Sequence, residues 1–234
     1  MPFRPYHGFR NRARLERLVA DLKDRGSVPD DVCENFLRYH PAMIHKLRSA
    51  KYNLDRLTEK LTTTDIQEAA DTTGDFMFEV NMFIDGFFYA AGSAMDILGR
   101  VVLTLFGQPI TGRIYFDSVH ATLNQARPAD PILPRLIRPP WRQHFSDYRN
   151  TLTHELILAP RYQIDIDNTG GTPMYRIVFP LPDDPRATPS HRTYRRNPNV
   201  LGYVSTHFMR ILKLANTVYG DIADRAAASG SLPI

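Results

Sequence analysis

Residues 141–156 read Trp-Arg-Gln-His-Phe-Ser-Asp-Tyr-Arg-Asn-Thr-Leu-Thr-His-Glu-Leu, and at 100° per residue the stretch sorts into two faces. Trp141, Phe145, Tyr148, Leu152 and Leu156 fall within an arc of about 80°, the stripe that a helix buries. Gln143, Asp147, Asn150 and His154 lie within roughly 60° of one another on the opposite side, and Arg149 stands at the border of the apolar arc. The spacing predicts an amphipathic helix whose polar face opens on a cleft or on solvent. Pro140 suits its first turn, where a missing N–H has no helical partner to lose.

Helical periodicity recurs through most of the chain. Leu15, Leu18, Val19 and Leu22 repeat at helical spacing between Asn11 and Arg25, and Gly26 with Pro29 ends that helix. Asp30 or Asp31 caps a second helix with Val32, Phe36 and Leu37 on its apolar side. Pro41 is expected to break or kink it before a continuation to about Ala50, with a shorter helix over Asn53 to Leu61. Asp65 starts a polar helical piece, and Gly74-Asp75 opens the longest helix, which runs to about Phe106 before Gly107 and Pro109 stop it. Asp85, Ser93, Asp96, Arg100 and Thr104 share one arc of about 100° on that helix, with Asp96 and Arg100 spaced for an ion pair. Its Gly86, Ala90, Ala91, Gly92, Ala94 and Gly99 admit close approach of another helix, either within one core or across a dimer interface. Ile110 to Ala126 gives a further helix, a Pro-rich link over 128–140 leads to the helix first quoted, and Val200 to Arg225 closes the chain as an amphipathic helix.

One segment changes period. Tyr162, Ile164 and Ile166, then Tyr175, Ile177 and Phe179, alternate on either side of Asn168-Thr169-Gly170-Gly171, which predicts a β-hairpin inserted at 160–181. Two strands are marginal alone, so this hairpin has to lie on the bundle or on a partner. Residues 182–199, with Arg186, His191, Arg192, Tyr194, Arg195 and Arg196, show no apolar periodicity and are expected to form a flexible basic loop. The fold class expected is all-α, an up-and-down helical bundle with an inserted hairpin, forming a single domain over 1–234.

Composition narrows the function classes. At 234 residues and 43% hydrophobic content the chain can bury a sizeable core. The apolar runs Gly86 to Met95 and Val101 to Gly112 are shorter than a membrane span needs and are separated by Asp96 and Arg100, so no membrane helix is expected. The start lacks the apolar core of a secretory signal, and the single Cys33 cannot close an internal disulfide, which makes a reducing, cytoplasmic setting the default. Among the 29 basic residues only Lys23, Lys46, Lys51, Lys60 and Lys213 are lysines. The rest are arginines, whose planar fork suits phosphates and bases; a GC-rich coding bias gives the same composition. A phosphate loop, a paired-Cys motif, a nucleophile elbow and a two-histidine zinc helix are all missing, so no cofactor and no metal are expected.

Arginine followed by histidine at similar spacing also occurs at Arg38 and His45, Arg113 and His120, Arg138 and His144, and Arg186 and His191. What distinguishes Arg149 and His154 is the intervening Asn150, the preceding Asp147-Tyr148 and the clean apolar side. The segment Asp147-Tyr148-Arg149-Asn150-Thr151-Leu152-Thr153-His154 resembles the signature of the HEPN superfamily, in which Arg, a polar residue that is often Asn, and His follow one another with four to six residues between Arg and His. The resemblance is close over this helix and looser over Phe83 to Leu105, which looks like the second helix of such domains. It implies an all-helical fold and either a dimeric, metal-independent endoribonuclease or a binding module without catalysis. It also implies toxin or defence roles with an antitoxin or defence partner. Toxin members controlled by a nucleotidyltransferase carry Tyr two residues after the His, where this chain has Leu156, a departure that puts that control in doubt.

RNA cleavage without a metal needs a base for the ribose 2′-hydroxyl proton, a cation for the phosphorane and a group that orients the phosphate. His154 suits the first role as a side chain that titrates near neutral pH and Arg149 the second, while Asn150, one helical turn before His154, either fixes the imidazole or binds a phosphate oxygen. Asp147 is either a helix-surface acid or an orienter of Arg149, and Arg149 has a structural alternative in a salt bridge to Asp147 or Glu155. Arg149 and His154 are about 140° and 7.5 Å apart on one helix, a poor assembly for a single copy, so a homodimer with a composite site is expected. In the 182–199 loop, Arg192, Tyr194, Arg195 and Arg196 interleave cations with an aromatic ring, the pattern of a single-stranded RNA contact, with a solvated loop as the plain alternative.

Overall fold

The computed structural model describes residues 9–112, 114–137, 139–154, 162–170, 174–196 and 199–234, without the side chains of Thr153, His154, Asp167 and Met174. Glu155, Leu156, Gly171 and the first two residues expected for the hairpin insertion, 160–161, lie outside the described residues. The fold is all-α with a small antiparallel hairpin inserted between helices.

Helix α1, Asn11–Asp24, buries Leu15, Val19 and Leu22. It ends where Gly26, at φ +66°, turns its N–H onto Lys23 O (2.8 Å) while Ser27 N–H reaches Leu22 O (2.9 Å). Helix α2, Asp30–Thr63, is one continuous element with Pro41 inside it, where the sequence predicts a break or kink at Pro41 and a separate short helix over Asn53 to Leu61. A proline inside a helix costs about 3 kcal/mol, whereas each fully buried large apolar side chain contributes roughly 1.5–3 kcal/mol. Phe36 before the proline and Met43, Ile44 and Leu47 after it are all buried, so continuity wins. Leu37, assigned to the apolar side, is instead 61% exposed.

Asp65 caps the short α3, Ile66–Asp71, by accepting the Gln67 N–H (2.7 Å). Helix α4, Thr73–Leu105, follows and stops at Gly107, whose φ of +63° only glycine adopts readily. By length and composition α4 could cross a membrane, but 72% of its apolar window is buried inside the fold, as a core helix requires. Helix α5, Phe116–Ala126, starts six residues later than its periodicity predicts. Gly112 takes φ +68° in the intervening turn, and Asp96 Oδ1 accepts the Phe116 N–H (3.1 Å), capping α5 from α4. Arg100, four residues on, places its guanidinium over the Tyr39 ring at 5.5 Å instead of on Asp96. A single turn, α6 (Leu133–Leu136), precedes α7 (Pro140–His154).

Strands β1 (Gln163–Asp167) and β2 (Met174–Val178) pair antiparallel with Ile164 opposite Ile177 and Ile166 opposite Tyr175. These four residues share the apolar face of the pleat. The root of the hairpin is anchored: Tyr162 and Phe179 each stand 5.9 Å from the Phe76 ring of α4, and Ile177 is buried. Towards the tip Ile166 and Tyr175 are each 58% exposed. Helix α8, Val200–Ser229, closes the chain.

Backbone contacts divide the chain into two compact units. One comprises Met1–Lys46, Ser93–Pro139 and Met209–Ile234; in it Asn11 and Asn216 exchange two hydrogen bonds of 2.9 Å, and Arg225 grips Asp130 through both carboxylate oxygens (2.6 and 2.9 Å). The other comprises Leu47–Gly92 and Pro140–Phe208 and carries α7, the hairpin and the basic loop. The small residues of α4 serve contacts inside these units. A Cβ added at Gly86 would stand 2.4 Å from Asn53 Oδ1, one at Gly92 2.5 Å from Arg149 Cδ, and one at Gly99 2.7 Å from Val119 Cγ2.

Candidate functional site on the motif helix

Helix α7 is held in its unit by an aromatic cluster. Phe145 and Tyr148 are fully buried, and the Phe88 ring of α4 lies 5.1 and 5.9 Å from them. Tyr203 of α8 meets Tyr148 edge-on at 5.0 Å and stacks on His207 at 3.9 Å. Such contacts fix the rotation of α7 about its own axis, because turning it would withdraw two large rings from the core.

That rotation assigns each polar residue its place. Arg149, at the border of the apolar stripe, lies with its Cδ, Nε and Cζ across the bare Cα of Gly92 on α4. It is half-buried, with the guanidinium end packed on α4 while part of the side chain reaches solvent. Asn150 is exposed, and among the described residues its side-chain amide makes no hydrogen bond. Asp147 is buried and not open to solvent: its Oδ1 accepts from Gln143 Nε2 at 2.7 Å, and its Oδ2 stands 3.9 Å from Arg186 Nε. Asp147 thus takes an ion partner from the basic loop, and no ion pair joins it to Arg149 among the described residues. His154 is the last residue assigned to α7; its side chain is outside the description, and so is any meeting of imidazole and guanidinium.

The 182–196 segment lies along the same helix. Tyr148 donates its hydroxyl to Pro182 O (2.5 Å), Thr151 donates to Pro185 O (3.1 Å), and His144 Nε2 stands 3.4 Å from Asp183 O. Burial, reinforced by the charges of Asp183 and Asp184, raises the Tyr148 hydroxyl's pKa, so it stays a donor. Within the loop Asp183 gathers three donors. Its Oδ2 accepts from the Thr193 hydroxyl and the Arg195 N–H, and its Oδ1 from the Arg196 N–H, at 2.8, 2.8 and 2.9 Å. Desolvation pushes this carboxyl up, but those hydrogen bonds and the Arg196 charge outweigh it and hold it below the usual range.

The four loop residues with the RNA-contact pattern take different positions. Arg192 is half-buried with Nε donating to Ala187 O (3.2 Å), so it braces the loop. Tyr194 is half-buried, while Arg195 and Arg196 are exposed. A turn of 3-10 helix, Pro189–His191, gives the segment local structure where the sequence offered no period. Helix α7 and the loop together place a packed guanidinium, a solvent-facing amide and exposed cations within one unit, a set suited to phosphate groups. Among the described residues no group of three or more His, Cys, Asp or Glu side chains is placed to hold a metal ion.

Sequence reading missed Asp183, which sits in the run Pro182-Asp183-Asp184-Pro185 ahead of the arginines, and it missed that Gly92 and Arg149 meet. The acid pair beside a basic stretch was a usable signal for the first; nothing local signalled the second. No protein-family model matches the chain, and comparison with curated proteins and with solved structures found no match either.

Proposed function

We propose that this protein binds single-stranded RNA along α7 and the 182–196 loop and cleaves it as a metal-independent endoribonuclease of the HEPN type. The observation that carries the reading is that the loop bearing Arg195 and Arg196 is fastened to the very helix that bears Arg149, Asn150 and His154. In this reading His154 removes the ribose 2′-hydroxyl proton. The 2′-oxygen then attacks phosphorus, the P–O5′ bond breaks, and the departing 5′-oxygen takes up a proton, leaving a 2′,3′-cyclic phosphate. Arg149 balances the extra negative charge of the phosphorane, and Asn150 orients a non-bridging oxygen. Asp147 supports the site by holding Gln143 and facing Arg186. Two copies related by a two-fold axis, motif helices facing, bring Arg149 of one to His154 of the other.

A second reading, a catalytically silent RNA-binding or interaction module, draws on the packing of Arg149 across Gly92, which gives that arginine a structural use. Incubating the purified protein with total RNA in EDTA separates the two. Cleavage that is lost in both His154→Ala and Arg149→Ala upholds the enzyme; identical behaviour of all three proteins upholds the module.

A further inference from the structure

Asp183 joins the basic loop to itself and to the motif helix. Besides the three donors its carboxylate accepts, its own N–H donates to Thr193 O (2.8 Å), so residues 183 and 193 are tied through both backbone and side chain. On either side of it, Pro182 O and Pro185 O accept the Tyr148 and Thr151 hydroxyls of α7. A carboxylate that gathers donors from two consecutive arginines fixes their backbone while leaving both guanidinium groups outward, since Arg195 and Arg196 remain exposed.

We infer that Asp183 is a positioning residue for RNA: it holds residues 193–196 against α7 so that Arg195, Arg196 and Tyr194 grip a single-stranded RNA leading to Arg149. The inference rests on the proposed function. An unfastened segment would have to be ordered each time RNA binds, and removing that loss of freedom beforehand is how preorganisation raises affinity. Charge-assisted hydrogen bonds are about twice as strong as neutral ones, so the anionic carboxylate outperforms its amide isostere here. In Asp183→Asn an NH2 group must face one of the two backbone N–H donors, which leaves that donor without an acceptor.

The test uses the full chain and a fluorescein-labelled oligouridine of about twelve nucleotides, within the span that single-strand grooves cover, read by fluorescence anisotropy in EDTA. Asp183→Asn should weaken binding about tenfold with an unchanged circular dichroism spectrum. In an Arg195→Ala/Arg196→Ala background the same change should add less than about twofold, because Asp183 acts through those residues. Trypsin should also cut after Arg195 and Arg196 faster in Asp183→Asn than in the wild type. Thr193→Val removes one donor and should show the same pattern more weakly, which covers a folding failure of the first variant. Equal affinity of wild type and Asp183→Asn, or the same tenfold loss in the double-alanine background, overturns the inference. If the wild type itself fails to bind oligouridine, the proposed function fails, and the tryptic rate alone then decides whether Asp183 fastens the loop; an unchanged rate overturns that as well.

Discussion

Replacing Gly92 by Ala separates stability from function at the motif helix. A Cβ at this position would stand 2.5, 2.6 and 2.9 Å from Cδ, Nε and Cζ of Arg149, and no other residue contributes one of its three nearest atoms. Carbon atoms settle at about 3.5–4.0 Å from one another, so the guanidinium end must move by about 1 Å. The atoms that yield belong to the far end of a flexible side chain, so the movement costs little. Alanine meanwhile gains about 0.5–1 kcal/mol over glycine inside a helix. The net effect on stability is between zero and about +1 kcal/mol, a melting temperature unchanged or raised by up to about 4 °C for a chain of this size. Misplacing a catalytic group by about 1 Å can cost on the order of 100-fold in rate. Differential scanning fluorimetry and cleavage of a labelled RNA in EDTA, run on the same preparations, measure both. Cleavage at the wild-type rate in a well-folded Gly92→Ala protein would refute the idea that Gly92 places Arg149 for catalysis, and so would a melting temperature that falls in step with activity.

Further expectations follow from the same geometry. Tyr148→Phe leaves Pro182 O without its donor, and urea titration should show a loss of about 1–2 kcal/mol together with faster tryptic cleavage of the 182–196 loop; an unchanged cleavage rate would contradict the fastening of that loop to α7. His40 is buried, with Nε2 2.6 Å from Glu16 Oε1 and Nδ1 2.9 Å from the Tyr219 hydroxyl. Desolvation lowers its pKa, only partly opposed by the Glu16 hydrogen bond and charge, so the unfolded chain binds more protons. Stability should therefore fall as pH drops below the unfolded histidine value of about 6.5, and His40→Gln should flatten that part of the profile in thermal melts taken between neutral and mildly acidic pH. For Asp130, desolvation raises the pKa, but the Arg225 hydrogen bonds outweigh it and the folded pKa is lowered. Its contribution is present above the unfolded carboxylate value near 3.9 and lost as pH falls through the lower folded value; Arg225→Ala should remove about 2 kcal/mol at pH 7 and less in acid, measured by urea titration. Light scattering on the eluting peak should report a dimer at micromolar concentration, and a monomer there would remove the composite site.

The helices were legible because their apolar residues recur at a period that only a helix satisfies. Leu15, Val19 and Leu22 are buried as their spacing requires, and Asp65, Gly26 and Gly107 mark ends that caps and left-handed turns explain. Pro41 misled because a local breaker is weighed against burial of Phe36, Met43, Ile44 and Leu47, a tertiary quantity that periodicity does not carry. The late start of α5 has the same origin: its cap, Asp96, lies twenty residues earlier in the chain. The motif helix could be numbered by face from the sequence, and Phe145, Tyr148 and Asn150 lie where that numbering put them. Asp147 keeps the polar side that numbering gave it, but the 182–186 segment covers it there and brings Arg186 towards it. Contacts such as Arg149 on Gly92 and Tyr148 on Pro182 join residues far apart in sequence, and no local pattern encodes them.

Mixing subunits tests the composite site most directly. Arg149→Ala and His154→Ala proteins, each inactive alone, are combined, allowed to exchange, and assayed for RNA cleavage in EDTA. With Arg149 and His154 drawn from opposite copies, each mixed dimer regains one intact site, and random exchange should restore about a quarter of wild-type activity. A mixture as inactive as its components, under conditions where exchange is demonstrated, would contradict the account.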